Sequence, residues 1–207
     1  KKYMQQAIGL AKKGGPSTCP NPQVGCIIVK RGQVVGKGYH KICGGPHAEV
    51  EALEQAKHKA KDSIMYVTLE PCSYWGKTPP CTEQIVNAGV REIVIGMRDP
   101  NPKVNGYEVL KLRGLKARLG VLEEECEKLN ESYVKHVKKK MPFVTLKAGM
   151  TLDGKIATST GKSKYITGKD SLKTVHSLRN SIGVVMVGIN TIIKDNPMLD
   201  TRLVKGD

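Results

Sequence analysis

Short apolar runs, each about the length of one β-strand, alternate with amphipathic helical segments through the first 140 residues, and this alternation restricts the possible folds more than any other feature. Runs rich in Val, Ile, Leu and Met predict buried strands, which need helices over both faces of their sheet. The sequence therefore predicts a three-layer α/β/α domain. The predicted strands cover residues 24–30, 33–40, 63–70 and 92–97, and the predicted helices cover 1–13, 47–60, 81–89 and 122–140.

Pro142 follows the last of these helices, and the strand–helix pattern starts again after it. Residues 143–150 and 183–189 are predicted as strands, and residues 168–180 as the helix between them. We place a domain boundary here, with a first domain of residues 1–141 and a second of 142–207. The second part is too short for a complete nucleotide-binding α/β domain of ordinary size, so we expect the natural protein to continue past Asp207.

Composition indicates a soluble, cytoplasmic protein. Hydrophobic residues make up 39% of the chain, and no long uncharged apolar run suggests a membrane span. The first residues have the pattern of an amphipathic helix and lack the apolar core and cleavage site of a signal peptide. The six cysteines stand at irregular positions, which does not suggest the disulfide framework of a secreted protein.

The formal net charge of +15 is distributed over both parts of the chain. Such a surface suits an anionic partner, either a nucleic acid or a phosphorylated small molecule. For most of the lysines, a solvated surface is the better explanation. The one dense basic run, residues 137–141, closes a predicted helix, where cations interact favourably with the helix dipole.

Four residues have the types and order of a catalytic zinc site. His47 and Glu49 stand at the start of a predicted helix, Cys72 follows a predicted strand, and Cys81 begins the next helix. One imidazole and two thiolates suit zinc and leave a fourth position for water, whereas structural sites fill all four positions with protein. Zinc lowers the pKa of bound water to about 7, which makes hydroxide available at neutral pH, and Glu49 is placed to carry the proton.

This order matches the H-x-E and P-C-x-x-C pattern of zinc deaminases, with a longer loop between the cysteines. Loop closure costs grow slowly with length, so both cysteines can still reach one metal. A wider resemblance is to the RibD family of bifunctional deaminase–reductases of riboflavin synthesis. The segments that carry the resemblance are PNPQVGCIIV, GYHKICGGPHAEVEAL, YVTLEPCSYWGKTPPCTEQIVNAGV, DPNPKVNG, PFVTLKAGMTLDGKIATSTGKSKYITG and VGINTIIKDNPMLDTR.

The resemblance implies a cytidine-deaminase-like domain followed by the start of a dihydrofolate-reductase-like α/β domain. It implies Zn2+ held by His47, Cys72 and Cys81, with Glu49 as the catalytic proton carrier, and NADPH as the cofactor of the second part. Substrate contacts on the deaminase side would be Asn21, His40, Lys77 and Asn101. In the second part, the cofactor contacts would be Gly149, Tyr165, Thr167, Thr191 and Asp195, and the substrate contacts Ser163, Arg179, Leu199 and Arg202.

Each deaminase-side contact also has a plain structural explanation. Asn21 between prolines can cap a turn, and Asn101 can shape one. Lys77 can be solvated, and a lone histidine such as His40 is more often a satisfied structural residue. The sequence departs from the family at Tyr74, where histidine is usual, and at Tyr165, where tryptophan is usual.

Three hypotheses follow. The first is a deaminase whose zinc hydroxide acts on 2,5-diamino-6-ribosylamino-4(3H)-pyrimidinone 5′-phosphate, in a homo-oligomer that binds neither nucleic acid nor membrane. The second is a zinc deaminase of another pyrimidine or a nucleic-acid base; one Trp and one Phe offer little for base stacking. The third is a structural zinc module, which predicts a fourth protein ligand, with Cys43 or His40 as the nearby candidates.

Overall fold

A mixed sheet of five strands forms the centre of the first part of the chain in the computed structural model, which describes residues 1–76 and 79–204. The strands are β1 (Gly25–Lys30), β2 (Gln33–Tyr39), β3 (Ile64–Leu69), β4 (Glu92–Met97) and β5 (Lys116–Arg118). Their order across the sheet is β2-β1-β3-β4-β5. β1 runs antiparallel to both of its neighbours, while β3, β4 and β5 are parallel.

Helices cover both faces of this sheet. They are α1 (Lys2–Ala11), α2 (Ala48–Ala56), α3 (Cys81–Asn87), α4 (Gly106–Leu112), α5 (Glu123–Leu129) and α6 (Glu131–Lys139). Buried side chains of α2, α3 and α4 form one apolar cluster with the sheet, and α1 and α5 contribute to a second. The predicted α/β class is thus confirmed, and the first part has three layers.

Small residues let α2 lie very close to β2. A Cβ atom on Gly36 would stand 2.2 Å from the carbonyl oxygen of Ala52, and one on Gly38 would stand 2.2 Å from that of Ala48. Only glycine fits at these two positions, because the nearest atoms are backbone. The start of α2, which carries His47 and Glu49, is therefore fixed against the sheet.

The strand directions bring four loops to one edge of the sheet. β3 and β4 are parallel, so the loops that follow Leu69 and Met97 leave at the same edge. β1 is antiparallel to β3, so the segment preceding Gly25 enters at that edge too. The loop between β2 and α2 leaves at this edge for the same reason. The sequence segments that contain most of the predicted deaminase-side residues therefore meet there.

Most of the predicted elements of the first part are confirmed within a few residues, with three differences. The predicted helix over residues 122–140 is two helices, because Asn130 leaves the helical conformation with φ −114° and ψ 23°. Helix α4 and the three-residue strand β5 were not predicted. Strand β5 has three residues, and only the middle one, Ala117, is partly buried. An alternation of exposed and buried residues this short cannot be recognised in a sequence.

The chain divides into two units, Lys1–Phe143 and Val144–Asp207. The second contains helices α7 (Lys169–Ser181) and α8 (Ile189–Asp195), of which α7 was predicted and α8 was not. The strand predictions for residues 143–150 and 183–189 are wrong for the described residues. A strand is stabilised by hydrogen bonds to a neighbour, and neither segment is paired in the part of the unit that the structure describes; their side chains at Leu146 and Met186 are exposed.

Across the described residues, every helix is too short or too polar to cross a membrane.

Candidate metal and active site

Three side chains that can bind a metal meet at this edge of the sheet. His47 caps the start of α2, Cys72 lies in the loop after β3, and Cys81 is the first residue of α3. Their ligand atoms all lie within 4.8 Å of one another. Nδ1 of His47 is 3.2 Å from Sγ of Cys81 and 3.6 Å from Sγ of Cys72, so this nitrogen is the one that faces both sulfurs.

Backbone N–H groups at the start of α3 hold Cys72 in place. The N–H of Cys81 donates to Sγ of Cys72 at 3.3 Å, and the N–H of Thr82 donates to the carbonyl oxygen of Cys72 at 3.2 Å. The start of α3 therefore directs its free N–H groups toward the Cys72 loop. Free N–H groups at the start of a helix favour a thiolate.

The hydrogen bonds among these three side chains lower the pKa of Cys72 and raise the pKa values of Cys81 and His47. A hydrogen bond from the Cys81 side chain is the main reason that the pKa of Cys72 is lowered to about 4, with a second contribution from His47. The same hydrogen bond, together with burial, raises the pKa of Cys81 well above that of a free thiol. The hydrogen bond to Cys72 raises the pKa of His47 to about 9. Cys72 is thus a thiolate beside two proton donors, and a cation can replace those protons.

The donor set fits zinc. Two sulfurs and one imidazole nitrogen in a compact group are ligands that zinc prefers, and three protein ligands are the number found in catalytic sites. Within residues 1–76 and 79–204, the group has these three members and no fourth. Cys43 is exposed and lies outside the group. This arrangement argues against the structural zinc module.

Glu49 is the second residue of α2 and is 3% exposed. It is outside the group of metal-binding atoms. Burial is the main reason that its pKa is raised, and the positive charge of His47 partly opposes this effect. A buried carboxyl group with a raised pKa beside a metal-binding cluster is suited to accept a proton and to release it again.

His40 orients Asn21. Nδ1 of His40 lies 2.9 Å from the carbonyl oxygen of Pro46, which can only accept, so Nδ1 carries the proton. Nε2 then accepts from Nδ2 of Asn21 at 3.0 Å. Both ring nitrogens are used, and the ring is 3% exposed. The structure therefore makes His40 a support for Asn21, which leaves the amide oxygen of Asn21 as the group available to a ligand.

Asn101 lies in the loop after β4, which is anchored to the loop of Cys72. Glu70, buried at the end of β3, accepts the N–H of Asp99 at 3.2 Å and that of Tyr107 at 2.8 Å. Asp99 in turn accepts the N–H of Asn101 at 2.8 Å. Oδ1 of Asn101 accepts from Lys103, so its amide nitrogen is the group left for a ligand.

Gly106 brings the same two loops into contact. A Cβ atom at Gly106 would stand 2.0 Å from the carbonyl oxygen of Pro71, the residue before the ligand Cys72. Ser73 and Asn105 add a hydrogen bond of 2.6 Å between their side chains. The position of Cys72 therefore depends on the loop that carries Asn101.

Lys77 lies outside the described residues, so its predicted contact has no structural counterpart here. Nearby, Tyr74 is exposed, and so is Trp75, the chain's one tryptophan, at 70%.

In the second unit, four of the predicted residues lie together in two pairs: Gly149 with Thr167, and Arg179 with Arg202 through their shared contact with Asp200. Gly149 lies beside Thr167, because a Cβ at Gly149 would be 3.6 Å from Cγ2 of that threonine. Arg179 donates to the carbonyl oxygen of Asp200 at 3.2 Å, and Arg202 forms an ion pair with the Asp200 carboxylate. Thr191 and Asp195 lie on α8, and Leu199 follows it. Ser163 and Tyr165 precede α7, and Tyr165 is exposed. Their binding roles remain predictions.

Sequence reasoning missed three polar residues that organise this edge: Glu70, Asn130 and Tyr133. Asn130 did leave a signal, because asparagine is a poor helix former in the middle of a predicted helix. Nothing in the local pattern distinguishes the other two from ordinary strand-end and helix residues.

Comparison with known proteins gives two family matches. Residues 1–97 match the cytidine and deoxycytidylate deaminase zinc-binding region, and residues 142–207 match the RibD C-terminal domain.

Individual relatives agree with these matches. The chain is 50% identical to riboflavin biosynthesis protein RibD of Aquifex aeolicus, over 99% of this chain and 58% of the relative. It superposes with a TM-score of 0.94 on the crystal structure of a diaminohydroxyphosphoribosylaminopyrimidine deaminase/5-amino-6-(5-phosphoribosylamino)uracil reductase from Thermotoga maritima, at 48% identity, over 99% of this chain and 60% of that one. RibD of Acinetobacter baumannii gives a TM-score of 0.90 at 44% identity, again over 99% and 60%. The chain thus spans somewhat more than half the length of these relatives.

Proposed function

Because the chain belongs to the RibD family, we propose that residues 1–141 form a zinc-dependent pyrimidine deaminase domain of riboflavin biosynthesis. The substrate we propose is 2,5-diamino-6-ribosylamino-4(3H)-pyrimidinone 5′-phosphate. The observation that carries the proposal is the group of His47, Cys72 and Cys81 with the buried carboxyl group of Glu49 beside it.

The reaction exchanges an amino group for an oxygen. Water adds to the ring carbon that bears the 2-amino group, the bond from carbon to nitrogen breaks, and ammonia leaves. Bound zinc would supply a Lewis acid that lowers the pKa of water to about 7. Glu49 takes the proton that the water loses and delivers it to the departing nitrogen, a role that its raised pKa supports.

Asn21 and Asn101 orient the pyrimidine in this proposal. The oxygen of Asn21 is directed by His40, and the amide nitrogen of Asn101 is directed by the backbone N–H of Lys103, which donates to Oδ1 of the same side chain. Together they offer one acceptor and one donor, which is what a ring with amino and carbonyl groups requires. Lys77 would add a positive charge for the 5′-phosphate.

For residues 142–207, we propose the first portion of an NADPH-dependent reductase domain that converts the ribosyl side chain to ribityl. The match to the RibD C-terminal domain supports this assignment. Cofactor contacts would come from the Gly149 and Thr167 group and from α8, and Arg179 and Arg202 would bind the ribose phosphate through charged hydrogen bonds.

We further propose that the protein is cytoplasmic and assembles as a homo-oligomer that recognises a small phosphorylated molecule. All six cysteines are free thiols, as expected in a reducing compartment. The charge of +15 leaves nucleic-acid binding as the competing proposal. Binding of single-stranded RNA in buffers of rising salt separates the two, because the leading proposal predicts weak binding that salt abolishes.

The deciding experiment combines metal analysis with an ammonia-release assay. About one zinc ion per chain should copurify. Ammonia should be released from the phosphorylated diaminopyrimidine and not from cytidine. Release from cytidine alone would move the assignment to another pyrimidine deaminase, and a zinc-loaded protein inactive on both would refute the proposed function.

A further inference from the structure

The side chain of Asn130 forms hydrogen bonds with a distant loop and not with the helix that it precedes. It stands at the position that caps the start of α6, where asparagine commonly bonds the helix's own N–H groups, yet its side chain makes no such bond. Instead, Oδ1 of Asn130 accepts the N–H of Gln23 at 2.8 Å, and Nδ2 donates to the carbonyl oxygen of Gln23 at 2.9 Å. The side chain is 2% exposed. The backbone N–H and the carbonyl group of one distant residue are thus both bound by one buried side-chain amide.

Tyr133 lies in the first turn of α6 and makes one hydrogen bond to a second loop. Its hydroxyl donates to Oδ1 of Asp99 at 2.9 Å. The same oxygen accepts the N–H of Asn101, so the tyrosine supports the turn that orients Asn101. Asn130 immediately precedes α6 and Tyr133 is its third residue, so both contacts are made from the start of this helix.

The two loops are those that carry the proposed pyrimidine contacts. Gln23 is two residues after Asn21, and Asp99 is two residues before Asn101. Each loop is also held from the metal side, by His40 through Asn21 and by Glu70 through Asp99. Each of these two loops is therefore held by one hydrogen bond near the metal ligands and by further hydrogen bonds from the start of α6.

An alternative explanation is that these contacts only attach α6 to the domain, and the structure supports this explanation less well. The helix has no fully buried residue of its own, so a large apolar interface does not hold it in place. Its buried polar neighbour Asn130 and its residue Tyr133 bond two loops that are far apart in sequence. The match to the deaminase zinc-binding region ends at residue 97, before either residue.

We propose that Asn130 and Tyr133 are positioning residues of the deaminase, which hold the loops of Asn21 and Asn101 at the separation that the pyrimidine requires. The inference rests on the proposed function. Removing either contact loosens one loop, but it removes no metal ligand and keeps the contacts that Asn105 and Gly106 make with the loop of Cys72. Each lost hydrogen bond should raise KM for the phosphorylated pyrimidine about fivefold to tenfold, with kcat per bound zinc reduced much less.

The test compares Asn130→Ala and Tyr133→Phe with two control variants. Tyr3→Phe removes the same hydroxyl group, which donates to the carbonyl of Gly32 at the far end of the β1–β2 hairpin. Ser132→Ala changes an exposed residue of α6 between the two positions. Zinc content, kcat, KM and amide hydrogen exchange are measured for all four and for the unmodified chain.

The expected result has three parts: full zinc content, a raised KM in the two test variants alone, and faster exchange confined to the matching loop. Asn130→Ala should accelerate exchange at residues 21–24, and Tyr133→Phe at residues 99–103. A fall in active fraction with KM unchanged would show a merely structural role and overturn the inference. Unchanged exchange in both loops would overturn it as well.

Failure of the proposed function has a different signature. An unmodified chain that binds zinc but releases no ammonia from the pyrimidine would refute that function and the positioning role together. An unchanged KM in both test variants, together with normal activity of the unmodified chain, would refute the positioning role alone.

Discussion

Replacing Gly106 by alanine tests whether the loop after β4 sets the position of the metal ligand Cys72. The new Cβ atom would stand 2.0 Å from the carbonyl oxygen of Pro71 and 3.1 Å from its carbonyl carbon. Ordinary contacts of a Cβ begin at 3.4 Å, so one of the two loops must move by about 1.4 Å, the difference between 3.4 and 2.0 Å. Both neighbours are backbone atoms, so no side-chain rotation can relieve the clash.

Two effects should follow from that movement. Overpacking of this kind costs about 1–3 kcal/mol in the free energy of unfolding. A movement of about 1 Å at the next residue also displaces Cys72 from the other ligands, and misplacement by about 1 Å can cost about 100-fold in rate. We therefore expect Gly106→Ala to bind zinc more weakly and to lose most of its deaminase activity.

Gly9→Ala is the matched control. It makes the same change within helix α1, where no described atom beyond the adjoining backbone of the helix and the two neighbouring residues lies within 4 Å of the new Cβ. Alanine is the better helix former, so this variant should be more stable by up to about 1 kcal/mol, with zinc content unchanged.

Urea denaturation gives the free energy of unfolding, and metal analysis after extensive dialysis gives the zinc retained. Gly106→Ala protein with the stability, zinc content and ammonia release of the unmodified chain would refute this reasoning. It would show that the contact between the loops is not rigid and that Cys72 is positioned from its own side alone.

Three further predictions address the site and the second unit. Glu49→Gln should retain zinc and lower kcat by about 100- to 10,000-fold, because it removes only the proton carrier; an inactive variant that also lacks zinc would assign Glu49 to the metal instead. Cys72→Ser and Cys81→Ser should lose zinc, and a chelator should lower the melting temperature of the unmodified chain but not of these variants, because metal binding stabilises the folded state alone; equal shifts would place the metal elsewhere. This 207-residue chain should not oxidise NADPH when given the deaminated intermediate, as followed at 340 nm, because the described residues of the second unit include helices α7 and α8 but no paired strand to hold a cofactor; clear turnover would mean that the residues present suffice for reduction.

The sequence by itself determined four of the five strands of the first unit and the set of candidate metal-binding residues. Both depend on local information. A buried strand such as β4 appears as an unbroken apolar run, and the order of His47, Glu49, Cys72 and Cys81 is a property of the chain that folding does not alter. The same locality explains the wrong strands at residues 143–150 and 183–189, since an apolar run forms a strand only beside a partner.

Only the tertiary structure decided what the supporting residues do. His40 was predicted either to contact the substrate or to be a satisfied structural histidine; the structure shows that its ring nitrogens bond Asn21 and Pro46, and the substrate contact stays a prediction. The break at Asn130 depends on Gln23, 107 residues away in sequence. The buried Glu70 is satisfied by two N–H groups of another loop. A hydrogen bond depends on atoms brought within about 3 Å, and the sheet's strand directions, rather than any local pattern, bring these atoms together.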